Sequence, residues 1–237
     1  MKDKTSKFIT IAAFLIIAIT LLALFAGPAL LKSYILIGIG NCQKIPILCM
    51  KPAEEINNPE VNNAYASELL LYDFPKMSIR APKGFDVVQE LIKKSPHKKW
   101  KRKENASVIY VLYQPKGFFI NLYPQEKKKG ATDNYEFIRR AMYAEVNQVK
   151  NISDAFFVIM KSIFIPDLGD QKMAKMAKFT LGDRKGFLNY NSTGGVKYYD
   201  CNLFDKDGNF FAIYIKDKSA LLDLGKVFTI ISTAKAK

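Results

Sequence analysis

Val196-Lys197-Tyr198-Tyr199-Asp200-Cys201-Asn202-Leu203-Phe204-Asp205-Lys206-Asp207-Gly208-Asn209-Phe210-Phe211-Ala212-Ile213-Tyr214-Ile215-Lys216 is the stretch that decides the fold. Two runs rich in aromatic and branched apolar residues flank Asp207-Gly208, a dipeptide suited to the positive φ angles of a tight hairpin turn. The stretch therefore reads as strands over Val196 to Phe204 and Phe210 to Lys216. Cys201 falls in line with Tyr199 and Leu203 on a period of two, which makes it a core residue rather than a nucleophile. Outward from here, Met176 to Leu181 and Gly186 to Asn191 supply two more strands, and Gly194-Gly195 after Ser192-Thr193 makes another hairpin turn. An antiparallel meander results. Beyond it, Leu221, Leu224, Phe228 and Ile231 repeat at helical spacing, with Ser219 as the expected cap, so one helix face presses on the sheet.

Upstream, Met77 to Ala81 reads as a short strand stopped by Pro82-Lys83-Gly84. Ser107 to Tyr113 is apolar at nearly every position and should be a strand buried on both faces, which Pro115-Lys116-Gly117 turns into a second strand over Phe118 to Tyr123. Tyr135, Ile138, Met142, Val146 and Val149 then recur at steps of three and four, an amphipathic helix with Arg139 and Arg140 left to solvent. A further apolar stretch runs from Ala155 to Ile165. Sheet and helices together predict an α+β class: a largely antiparallel sheet with packed helices in an α/β/α sandwich.

Two motifs carry a resemblance. Met77-Ser78-Ile79-Arg80-Ala81-Pro82-Lys83-Gly84-Phe85 is similar to the opening strand and Pro-x-Gly-aromatic turn of the PsbP/Mog1-like family. Leu181-Gly182-Asp183-Arg184-Lys185-Gly186-Phe187 is similar to its Leu-x-Gly-x-x-Gly turn before a strand meander and final helix. The resemblance covers about residues 70 to 235 and implies an α/β/α sandwich. It transfers no catalytic residue, because that family shares no active site. The region around Ala155 to Gly169 departs from the pattern as an inserted helix.

The N-terminal part reads differently. Residues 1–7 form a basic tail, and the run from Phe8 to Leu31 holds no charged residue, spanning about 36 Å as a helix against roughly 30 Å of hydrocarbon. This predicts one transmembrane helix over 8–31, longer than the apolar region of a cleaved signal peptide. Ala23, Phe25, Ala26 and Gly27 leave cleavage open, with Gly27-Pro28 either a kink or a cut. Lys2, Lys4 and Lys7 with the free amino group place the N-terminus in the cytoplasm and the C-terminal domain outside it. Residues 32–69 are expected to be juxtamembrane segment and linker, the stretch Lys51 to Ser67 being rich in Pro, Asn, Glu and Ala, and residues 70–237 a domain that folds by itself. Cys42 and Cys49 would close a short loop as a disulfide in an oxidising compartment, or stand as two free thiols.

Lysine and arginine outnumber aspartate and glutamate by 36 to 22, so charged partners should be anionic. Hydrophobic residues make up 49% and aromatic ones 13%, enough for a packed core, which excludes disorder. The densest basic cluster is Lys93, Lys94, Lys98, Lys99, Lys101, Arg102 and Lys103 around Pro96, His97 and Trp100. It must be exposed, either as a solvated hairpin loop or as a contact for anionic headgroups, with Trp100 at the interface. Lys127 to Lys129 shares that reading. Nucleic acid is not the expected partner of an anchored extracytoplasmic domain. His97 is the single histidine and sits among like charges, so it lacks the carboxylate that orients a general base. The chain has no Gly-x-Ser-x-Gly elbow, phosphate loop or dinucleotide fingerprint, and Asp205-Lys206-Asp207-Gly208-Asn209 has the wrong spacing for calcium. One histidine leaves no Cys/His set for zinc. No cofactor, metal or catalytic residue is expected.

The sequence thus points first to a membrane-tethered, extracytoplasmic, non-enzymatic binding or assembly domain that holds a protein or envelope component. The second reading is a binder of anionic membrane surfaces or polymers through residues 93–103, and the third a hydrolase with an unrecognised acidic site. An apolar groove would favour the first, a flat basic face the second, and acids gathered beside His97 the third.

Overall fold

The computed structural model describes residues 27–87, 97–102, 104–166 and 168–237. Helix α1 covers 27–38 and is followed by a short 3-10 turn, Pro46–Cys49. Then come β1 (Glu54–Asn57), α2 (Asn63–Glu68), β2 (Leu70–Asp73), β3 (Met77–Ala81), β4 (Phe85–Val87), β5 (His97–Arg102) and β6 (Val108–Gln114). A helical stretch holds α3 (Phe118–Leu122), α4 (Pro124–Lys128), α5 (Asn134–Tyr143) and α6 (Ile152–Phe164). The C-terminal part is β7 (Lys175–Leu181), β8 (Arg184–Thr193), β9 (Val196–Phe204), β10 (Phe210–Asp217), α7 (Leu224–Ser232) and β11 (Lys235–Ala236).

Eight strands form one sheet in the order β1-β7-β8-β9-β10-β6-β5-β4, and β11-β3-β2 form a small second sheet. The expected meander from β7 to β10 is present, its turns at Gly194-Gly195 and Gly208 all at positive φ. Period-two alternation splits the core. Leu188, Tyr199, Cys201, Leu203, Phe211 and Ile213 face α7 and the small sheet. Phe187, Tyr198, Phe204 and Phe210 face the layer of α1, α3, α5 and α6. The free thiol of Cys201 is buried, as its period predicted.

The α+β class holds, with corrections. The sheet is mixed, because β1 runs parallel to β7. No helix among the described residues is long and apolar enough to cross a membrane, which corrects the transmembrane helix expected over 8–31. Residues 8–26 of that span, like the tail 1–7, lie outside the described residues. Its C-terminal end belongs to α1, and beyond that end α1 lays Ile35 into the helical core.

The stretch expected to be a linker is folded. Glu54 to Asn57 pair with Ala177 to Thr180, and their side chains are engaged: Tyr190 Oη donates to Glu54 Oε2 at 2.8 Å, Lys178 Nζ to Glu55 at 3.0 Å and Thr180 Oγ1 to Asn57 at 3.0 Å. Ile47 and Leu48 are fully buried. Buried Lys161 on α6 ties this segment down by donating to the carbonyl oxygens of Met50 and Ala144, and burial pushes its ammonium down to about 7. Cys42 and Cys49 are joined as a disulfide, Cα atoms 5.8 Å apart.

Phe118 to Tyr123, expected as a strand, is α3. Gly117 at φ 76° breaks the chain direction, and Phe119 and Ile120 are both buried, which a strand facing one core cannot do. The sheet position beside β10 is also taken, by β6. Asn134 fixes the corner: its Nδ2 donates to the carbonyls of Pro115 and Gly208, and its Oδ1 accepts from the Phe119 amide. Ser219 does not cap α7. Asp223 does, accepting from the Lys226 amide at 2.8 Å, while Ser219 donates to Asp217.

Candidate functional site

The helical layer does not cover its sheet face completely. Between α3 and the end of α6 on one side and β6, β9 and β10 on the other lies a cavity of about 670 Å3, within the usual range of ligand sites. Its helical wall is Phe118, Phe119, Ile163, Phe164 and Pro166.

Strand register builds the opposite wall. Asn189, Asp200, Tyr214, Tyr110 and Lys99 lie opposite one another in a single row across β8, β9, β10, β6 and β5. The next row is Phe187, Asn202, Ala212, Leu112 and His97, and the row on the other side brings Lys216 between Tyr198 and Val108. Polar groups thus occupy the middle of an apolar face. Asp200 and Asn202 sit in the cavity wall, at 2% and 0% exposure, with Lys99 and Lys216 among the other lining residues.

The carboxyl is held by two amides. Asn189 Nδ2 donates to Asp200 Oδ2 at 2.9 Å and Asn202 Nδ2 to the same oxygen at 3.4 Å. These bonds favour the anion, but burial outweighs them and pushes Asp200 up to about 7. The Oδ1 atoms of Asn189 and Asn202 are buried and find no donor among the described residues. Such an orphan acceptor costs about 1–3 kcal/mol, so a donor arriving in the cavity beside Asn202 would be bound favourably.

Chemically, the site offers an apolar slot, a buried acceptor, a carboxyl able to stay protonated near neutrality, and cations. Asp200 is the one carboxyl among the described lining residues, and no histidine is described there. No group of metal-ligating side chains occurs among the described residues.

Only part of the expected basic contact is brought here. Lys98, Lys99, Trp100, Lys101 and Arg102 lie on β5, a strand of the sheet rather than a loop. Lys99 lines the cavity and Lys101 is exposed. Arg102 is engaged elsewhere, its guanidinium 4.8 Å from the Phe85 ring and Nη2 donating to the Lys83 carbonyl at 3.0 Å. Lys93, Lys94 and Lys103 lie outside the described residues, as do the side chains of Lys98 and Trp100. Asp200, Asn202 and Lys216 were missed by sequence reasoning. The available signal was the pair Asp200 and Asn202 on a strand whose other positions are almost all apolar.

No protein family matches the sequence, and no curated protein matches it. Among solved structures, a protein from Bacteroides thetaiotaomicron VPI-5482 aligns at 8% identity and a TM-score of 0.32, over 68% of this chain and 45% of that one. The chain therefore spans less than half the length of that protein. At this level the likeness carries no argument, and the PsbP/Mog1-like resemblance rests on the two motifs alone.

Proposed function

We propose that this chain is an extracytoplasmic, non-enzymatic binding module whose cavity takes a single-chain amphiphile with an anionic head. The orphan Asn202 acceptor at the wall of an apolar slot carries this reading. An acyl or isoprenoid body would lie against Phe118, Phe164 and Leu112. A hydroxyl or amide N–H on the chain would donate to Asn202 Oδ1, and Lys99 and Lys216 would meet the head. The disulfide between Cys42 and Cys49 supports an oxidising compartment.

The test is uptake of a fluorescent polyene fatty acid by the purified protein. Saturable uptake is expected, blocked by Ala212→Trp, which fills the slot, and weakened by Lys99→Glu with Lys216→Glu. Uptake unchanged by Ala212→Trp, or none at all, overturns the reading.

A further inference from the structure

Helix α1 has two apolar sides. Leu31, Ile35 and Leu36, with Ile39 just beyond the helix, turn inward to the helical core. Leu30, Tyr34 and Ile37, at steps of four and three, form an outward stripe that is 68%, 72% and 86% exposed. At the start of the helix a groove opens between Gly27, Pro28 and Leu31 and the first turn of α6, where Ile152 is 75% exposed. Lys129, which pairs with Glu126 at 3.1 Å, and Arg140 and Lys150 line that groove beside Asp154, which accepts from the Lys150 amide at 2.9 Å and is the N3 residue of α6.

An apolar stripe beside a cationic groove is the chemistry of an anionic lipid surface, where side chains such as Leu, Tyr and Ile enter the acyl boundary and Lys and Arg meet the headgroups. Two further facts select lipid over a protein. The molecule carries a formal net charge of +14, matching an anionic surface. The residues that precede the groove in the chain, Phe8 to Ala26, also include no charged one.

We propose that the outer face of α1 and the basic groove at its start rest on the anionic headgroups of a bilayer. The face of α7 then points away from the membrane. This contact does not use the expected cluster at 93–103, and it stands independently of the amphiphile cavity.

The test uses the full chain reconstituted in vesicles of phosphatidylcholine, with and without phosphatidylglycerol, containing headgroup-nitroxide lipid. A dye is placed at Ile152→Cys or, as the distal control, at Leu221→Cys, which is 63% exposed near α7. Quenching at 152 should exceed that at 221 several-fold with phosphatidylglycerol, fall when salt is raised, and fall with Lys150→Glu. Leu30→Ser with Ile37→Ser alters only exposed positions and should lower it without disturbing the fold. Equal quenching at 152 and 221, or no dependence on phosphatidylglycerol, overturns the proposal. Concentration-dependent self-association without lipid that is lost in the Leu30→Ser, Ile37→Ser variant would assign the stripe to a second copy instead, and also overturns it.

Discussion

An ionised Asp200 would stand inside a central strand with two amide donors and no cation among its described partners. Its folded-state value lies near 7, above the ordinary 3.8, so between those values the native state holds a proton that the unfolded chain has released. Stability is then full below about pH 4 and declines as pH rises through about 7, by up to a few kcal/mol. Asp200→Asn keeps the shape and removes the ionisation. The variant's advantage over the parent in urea melts should be larger at pH 8 than at pH 5; an equal gap at both values would assign the difference to something other than the carboxyl. Gly186 is a second residue on which geometry presses. A Cβ there would lie 2.2 Å from the Asn202 carbonyl oxygen and 2.8 Å from the Phe179 ring, so β8 can approach β9 only with glycine. Gly186→Ala should cost at least about 3 kcal/mol, or abolish folding, as read from the denaturation midpoint.

Helix α7 is held through Phe228, 1% exposed and edge-on to Phe179 with centroids 5.3 Å apart. Phe228→Ala should cost about 3–5 kcal/mol in urea melts, and a loss under about 1 kcal/mol would contradict this packing. That helix and the meander before it were legible because each element shows its period within a few residues and joins a sequence neighbour. Elements defined by distant partners were not. Glu54-Glu55-Ile56-Asn57 has linker composition and becomes a strand only because β7 offers an edge, while Phe118 to Leu122 has strand composition and becomes a helix because β6, its expected hairpin partner, is already paired with β10 on one side and β5 on the other. The site follows the same division. Lys99 was visible as part of a charge cluster, whereas the union of Asp200, Asn202 and Lys216 depends on register across strands, which local sequence does not specify.

At the level of the whole molecule, the segment before residue 70 is packed into the fold, so we expect residues 70–237 not to fold alone. That fragment lacks β1, α2 and the buried Ile35, Ile47 and Leu48, each worth about 1.5–3 kcal/mol of burial, against a typical total stability of about 5–15 kcal/mol. Residues 27–237 should melt cooperatively, while 70–237 should bind a hydrophobic dye and melt broadly or not at all; a sharp transition for the shorter fragment would refute this. The placement of β1 also has a consequence for synthesis. Glu55 and its partner Lys178 are 123 residues apart in the chain. At about 5–20 residues per second, the ribosome needs roughly 6–25 s between releasing the first strand of the sheet and releasing the strand that receives it. Throughout that interval the nascent chain carries a β-edge whose partner is not yet made, so a chaperone that shields the early N-terminal segment would raise the yield of folded protein more than one acting on the finished chain.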